Sequence, residues 1–422
     1  MGPPQTQIGE DAASPYVAIP RVPRTFRALR HRNFRLFISG QVISLVGTWM
    51  QTAAQSWLVY RLTHSELLLG TTWFCSQIAV FLLGPLGGLA ADRFSRQKIV
   101  ILTQTLSMVQ ALVLAALTIT GRVQVWHVLA LSVVLGMVNA FDMPARQALV
   151  IEMTSKDDLL NAISLNSAVF NTARVVGPGV AGFLVALLGE GMCFLLNGVS
   201  FLAVIACLAA MRLPLFERKP HPPVLKHLVD GFRYAAGHSA VRRLLAVMGA
   251  ATLAGMPGLV LMPFFADTIF HRGSQGYGAL MSAMGVGAVT GTLVLARRAR
   301  AQGLARVMVF SGLTTGLAYI AFAMSQWYFV SLAIMPVIGY SVMRQMASAN
   351  TTIQILIPEE YRGRTMALYA MTVIGLGPFG SLAAGALANH FGPRGTMAMG
   401  GLLALAASSA FAYTLRRDPI AA

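Results

Sequence analysis

Twelve stretches rich in apolar residues follow one another along the chain, at 34–60, 67–90, 98–120, 125–145, 160–188, 191–213, 243–266, 276–296, 305–325, 327–349, 364–388 and 394–415. Each is long enough to cross a bilayer core as a helix, which takes about 20 residues. In lipid only helices and closed barrels satisfy their own backbone, and a barrel would show weak alternating segments of about ten residues. The pattern therefore requires an all-α membrane protein. Composition agrees, with 56% apolar and 11% charged residues, against about 25% charged in soluble domains. An ordinary soluble enzyme is excluded.

Charge distribution tests the span count, because cytoplasmic loops carry the excess of Lys and Arg. With both ends inside, 27 of the 32 basic residues fall in cytoplasmic segments, four (Arg61, Arg122, Arg272, Arg394) fall outside, and Arg174 is left within a span. One missed span would move every later loop to the other side. Both termini of a multi-pass membrane protein are therefore expected in the cytoplasm. The formal charge of +17 reads as this bias and as affinity for anionic headgroups; no nucleic-acid module accompanies it. Cys75, Cys193 and Cys207 lie in apolar stretches without metal-ligand spacing, so they read as packing residues.

Residues 214–242 form the longest hydrophilic stretch, with Pro214, Pro220, Pro222 and Pro223 followed by a possible short helix from Leu225 to Ala236. The stretch divides the protein six plus six. The expected units are a disordered N-terminus 1–25, a bundle 26–213, the linker 214–242, a second bundle 243–415 and a tail 416–422. Gly177-Pro178 in span five is matched by Gly377-Pro378 in span eleven, each followed by small residues, and these pairs are the expected hinges. Two pseudo-symmetric six-helix bundles with corresponding Gly/Pro breaks point to a secondary transporter with its site at the repeat interface. No Gly-x-x-x-x-Gly-Lys-Ser/Thr loop is present to hold a nucleotide, so no cofactor is expected and a proton gradient is the anticipated energy source.

Polar stripes at helical spacing must face protein or a water-filled cavity. Span one carries Gln41, Ser44, Thr48, Gln51, Thr52 and Gln55; span five carries Ser164, Ser167, Asn171 and Arg174; span ten carries Ser341, Arg344 and Ser348. Thr48, Gln51, Gln55, Asn139, Asn171, Arg174 and Arg344 are the candidate substrate contacts, with interhelical bonding as the alternative. Arg174 is too deep to snorkel, and no span offers it a mid-membrane acid. It meets either an anionic or polyhydroxylated substrate, or carbonyls and Asn171 as a structural post. Asp142 and Arg146, four apart at the inner end of span four, suit an ion pair and are read as part of a gate. Span one has no acid for a proton relay, leaving Asp92 or Asp142 to carry the proton, or a uniporter.

Between spans two and three runs Gly88-Leu89-Ala90-Ala91-Asp92-Arg93-Phe94-Ser95-Arg96-Gln97-Lys98. Gly88, Asp92, Arg93, Arg96 and Lys98 resemble the signature loop of the major facilitator superfamily, with Ser95 where a second glycine is usual. The second-half counterpart near Gly291 keeps Arg297, Arg298 and Arg300 without an acid. Phe141-Asp142-Met143-Pro144-Ala145-Arg146-Gln147 and the segment Asn161 to Asn166 look like the branch of bacterial enterobactin exporters and drug-efflux proteins. Gly177-Pro178 with Gly179 and Gly182 is similar to the antiporter motif of such exporters, with Ala173 and Ala181 at frequent glycine positions. The resemblance implies that Asp92 latches onto Arg362 or Arg364 at the start of span eleven when the inner gate closes. It also implies a monomer that exports a small siderophore-like or drug-like molecule by proton antiport. An importer, a uniporter, a lysolipid flippase and a non-transporting sensor stay open as alternatives.

Overall fold

The computed structural model describes residues 24–213, 233, 235–297 and 302–418. All its regular elements are helical. After a 3-10 turn at Arg24–Arg30 come α1 (Arg32–Thr63), α2 (Glu66–Arg93), α3 (Arg96–Ile119), α4 (Val125–Glu152), α5 (Leu159–Leu188) and α6 (Glu190–Ala209). The second set is α7 (Ser239–Ile269), α8 (Gly273–Ala296), α9 (Leu304–Met324) and α10 (Tyr328–Leu356). A final stretch, Glu359–Arg417, is interrupted where Gly392 takes φ 72°, which separates α11 (359–391) from α12 (393–417). The Arg21 side of the N-terminal basic run, most of the segment from Leu225 to Ala236, and Arg298 and Arg300 lie outside the described residues.

Ten helices are long and apolar enough to cross a membrane, counting Glu359–Arg417 once. Splitting that stretch and adding α1 makes twelve. The polar stripe of α1 lowers its hydropathy, but those polar atoms are spent inside the protein. Several helices outrun their apolar cores toward the end of the molecule that carries both chain termini: α4 reaches Glu152 and α10 reaches Leu356. Helical hydrogen bonding does not depend on apolar side chains, so the winding continues beyond the hydrocarbon.

In the first bundle α1 packs on α5 and α6, α2 on α4, and α3 on α4 and α6; in the second, α7 packs on α11 and α12, α8 on α10, and α9 on α10 and α12. The two bundles therefore repeat one arrangement. Their register differs from the one the Gly-Pro pairs suggest. Gly177 abuts α1 at Trp49 and Met50, and its counterpart against α7 is Gly380, beside Leu253 and Met256. Gly182 and Gly385 match as crossing points, and Gly189 and Gly392 match as the positive-φ turns that follow. Each of these pairs is 203 positions apart, one helical turn from the spacing of the Gly-Pro pairs. A small residue at a helix crossing is the repeated requirement, because backbones approach closely only there. Pro178 and Pro378 sit inside continuous helices.

Candidate functional site

The bundles meet along two symmetry-related seams, α2 with α11 and α5 with α8. On α5 and α8, Ser274 Oγ donates to the Gly182 carbonyl at 3.1 Å and Ser282 Oγ to that of Val175 at 2.7 Å. A Cβ on Gly182 would stand 2.6 Å from the Ser274 carbonyl oxygen, and one on Gly278 2.5 Å from that of Pro178. On α2 and α11, Gly70 crosses Ser381 and Gly385, Phe74 stacks edge-on to Phe379 at 6.0 Å, and Gly375 abuts Phe81. A third contact joins α1 to α7: the Tyr60 hydroxyl donates to Asp267 Oδ2 at 2.7 Å and lies 2.9 Å from Thr268 Oγ1. Asp267 belongs to a π-turn, Phe265–Ile269, a local winding frequent at functional sites. Trp57 stacks over Tyr277 beside it, with centroids 6.1 Å apart.

These contacts all lie between mid-depth and the end opposite the chain termini. The terminal-end portions of the helices look different. On α5, Leu160, Ile163, Ser164 and Ser167 are exposed, and on α2 nothing lies within 4 Å of a Cβ placed on Gly84 or Gly88. The Ser164 hydroxyl donates to the Leu160 carbonyl of its own helix at 2.8 Å, and the seam contacts named above leave this stretch of α5 with an exposed face.

Arg174 stands where the seam stops. The α5 backbone at Arg174 and Val175 packs on Gly285, while the guanidinium lies over the ring of Trp49 at 5.7 Å. Trp49 in turn packs edge-on against Phe170 at 5.6 Å. Among the described residues no hydrogen-bond acceptor or acid engages that guanidinium. Asn171 is not its partner, since its amide donates to the Ser167 carbonyl at 2.8 Å. Arg344, near the middle of α10, donates to the Tyr340 hydroxyl at 2.9 Å and lies over that ring, and its buried Nε has no partner. Among the described residues, no carboxylate pairs with Arg174 of the first bundle or Arg344 of the second.

The α1 stripe behaves otherwise. Gln51 donates to Gln110 Oε1 at 3.0 Å and accepts from Asn197 at 2.7 Å, and Gln55 donates to Ser132 Oγ at 2.7 Å. Both side chains are buried and tie α1 to α3, α4 and α6, so interhelical bonding is what occupies these two candidate substrate contacts. The Thr48 hydroxyl donates to the Ser44 carbonyl within its own helix. Asn139 is half-buried on α4, four residues before the exposed Met143.

Asp142 is 3% exposed, and α4 continues past it to Glu152. It accepts from Thr103 Oγ1 at 2.7 Å and Gln104 Nε2 at 3.0 Å and pairs with Arg146, which also donates to Gln41 at 2.8 Å. All these partners belong to the first bundle.

In the signature loop, Asp92 is half-buried and Arg93 exposed. Arg96 pairs with Glu152 at 2.5 Å, bracing the loop against α4. Arg362 is exposed in the first turn of α11, and Arg364 lies over the Tyr361 ring at 5.7 Å.

Several important residues escaped the sequence reading. Tyr60 and Asp267 are 207 positions apart and carry no local motif. Gln110 and Asn197 looked like isolated polar residues in apolar spans. Asp158, 1% exposed, collects His31 at 2.8 Å, Arg30 at 2.7 Å and Arg27 at 3.9 Å. The His31 hydrogen bond and the two guanidinium charges hold its carboxyl below the usual range. In the sequence, Arg27 and Arg30 hinted at this cluster only through their charge.

The family profile described as transmembrane secretion effector matches residues 24–420, and the chain belongs to that family of major facilitator superfamily transporters. It is 23% identical over 389 residues to the staphyloferrin A transporter of Staphylococcus aureus, covering 91% of this chain and 96% of that one. It is 24% identical over 341 residues to the enterobactin exporter EntS of Shigella boydii, covering 80% and 81%. The solved nucleoside transporter NupG superposes with a TM-score of 0.74 at 14% identity, over 91% of this chain and 99% of that one, which shows a shared fold. The protein is thus a multi-pass membrane protein of a transporter family.

Proposed function

We propose that the protein exports an anionic organic compound of siderophore-like or drug-like size across the cytoplasmic membrane by alternating access, in exchange for protons. Arg174 carries the reading: a cation at mid-depth with an aromatic face beneath it and no acid beside it requires a counter-charge, and a substrate carboxylate or catecholate supplies one. Arg344 on the opposite bundle offers a second contact. With the termini in the cytoplasm, as the distribution of Lys and Arg favours, the exposed faces of α2 and α5 toward that end support an inward-open reading, the state that loads an export substrate. Rocking about the seams then opens the far end and brings Gly88 and the signature loop toward α11. We assign the coupling proton to Asp142, a buried acid whose partner Arg146 also holds Gln41 of α1.

The test is proton-gradient-driven uptake into inverted inner-membrane vesicles, comparing a catecholate siderophore with a cationic dye, for wild type and Arg174→Ala at matched protein levels. The reading expects siderophore uptake that a protonophore and the substitution both abolish. Dye uptake that survives Arg174→Ala would instead support broad cation efflux with a structural arginine. Silence for both would withdraw export of these substrates and turn the search to import.

A further inference from the structure

On the outer face of the first bundle, away from both seams, the end of α2, the first half of α3 and the middle of α4 enclose a groove of about 1050 Å³. Its lining comes entirely from the first bundle. We propose that this groove is a binding site for one anionic glycerophospholipid from the leaflet at the terminal end, with the headgroup phosphate between Arg93 and Lys98 and an acyl chain lying along α3 and α4.

The two ends of the groove differ in chemistry. At the mouth, Arg93 and Lys98 are both exposed, and neither pairs with an acid among the described residues, whereas neighbouring Arg96 is committed to Glu152. Deeper in, the walls are Leu102, Leu106, Val134 and Met137, between 38% and 59% exposed. Of the polar residues along the lining, Ser95 sits near the mouth, while Gln97 donates to the carbonyl of Leu208 at 2.6 Å and Thr103 to Asp142 at 2.7 Å. The interior therefore offers hydrocarbon contact and little hydrogen bonding. Lys98 and Leu106 are eight residues apart on one helix, about 12 Å at 1.5 Å per residue. That is the scale on which a phospholipid passes from phosphate to acyl chain. Charge selects the lipid: two cations with no acid at the mouth favour a net negative headgroup, as basic recesses between membrane helices do, and repel the ammonium of a zwitterionic one. The site does not depend on the substrate reading, because none of the candidate substrate contacts lines it.

The experiment is native mass spectrometry of the purified full-length protein, given dioleoyl phosphatidylglycerol or dioleoyl phosphatidylcholine at equal concentration. Lys98→Ala and Leu106→Trp are compared with Arg122→Ala, which removes a cation at the opposite end. Lys98 and Leu106 are both exposed, so these substitutions spare the packed interior, and thermal melting in detergent checks that they do. The expected result is one retained phosphatidylglycerol favoured about tenfold over phosphatidylcholine. Lys98→Ala should reduce that preference at least fivefold, Leu106→Trp should lower retention of both lipids, and Arg122→Ala should change neither. Equal retention of the two lipids, or a preference untouched by both groove variants, would overturn the proposal. So would displacement of the bound lipid by millimolar inorganic phosphate with Leu106→Trp without effect, since the cations would then hold a free anion.

Discussion

The Tyr60 hydroxyl donates to Asp267 Oδ2 at 2.7 Å, a bond that crosses from the first bundle to the second and helps keep the far end shut. Hydrogen bonds to charged groups contribute roughly 1.5–3 kcal/mol, and Asp267 is only half-buried, which favours the lower part of that range. Tyr60→Phe is expected to move the conformational equilibrium about tenfold toward the far-end-open state. Distances between spin labels on α1 and α7 report the shift, and unchanged distance distributions would show that the bond does not bias the equilibrium.

Glycine crossings make an opposed pair of predictions. A Cβ on Gly278 meets the Pro178 carbonyl oxygen at 2.5 Å, whereas one on Gly88 meets nothing within 4 Å. Gly278→Leu should wedge the far end open, and Gly88→Leu should fit the present state and hinder closure at the terminal end. Thiol-reactive probes on single cysteines at each end measure this, and the two variants should change accessibility in opposite directions.

The buried pair of Asp142 and Arg146 sets a stability cost. Removing one partner of a buried ion pair costs about 3–5 kcal/mol, because the remaining charge is left unpaired. Asp142→Ala is therefore expected to lower the melting temperature in detergent, and Asp142→Ala with Arg146→Met should recover much of the loss. A double variant no more stable than the single one would show that the wider network with Thr103, Gln104 and Gln41 dominates.

The cluster around Asp158 predicts a pH dependence. Its carboxyl is held below the ordinary range by His31, Arg30 and Arg27, so its stabilisation is complete above the unfolded value of about 3.9. It is lost as pH falls through the lower folded value. Asp158→Asn should therefore melt below wild type at neutral pH, and that gap should close only in acid, as pH falls below the unfolded value and on through the lower folded one. A gap that persists undiminished there would mean the carboxylate charge is not what anchors the N-terminal turn.

Sequence alone determined the span count and the two-bundle division, since both follow from where apolar and charged residues fall along the chain, and the superfamily, which follows from the motif at Gly88 to Lys98. Hydropathy reports a transfer free energy residue by residue, and lipid leaves a long apolar segment little choice but to be a helix. Partnership was decided only in three dimensions. Gln51 and Gln55 were legible as a stripe, yet whether the stripe faced a cavity or Gln110, Asn197 and Ser132 depended on how α1 is rotated within its bundle. Asp142 was legible as an acid near Arg146, but its bonds to Thr103 and Gln104 depend on how α3 packs on α4. The repeat register was masked by two Gly-Pro pairs, while the tertiary equivalence of Gly177 with Gly380 reflects backbone approach at a crossing. Tyr60 and Asp267 meet because folding closes the two bundles at one end, and pairing between distant residues leaves no trace in local composition.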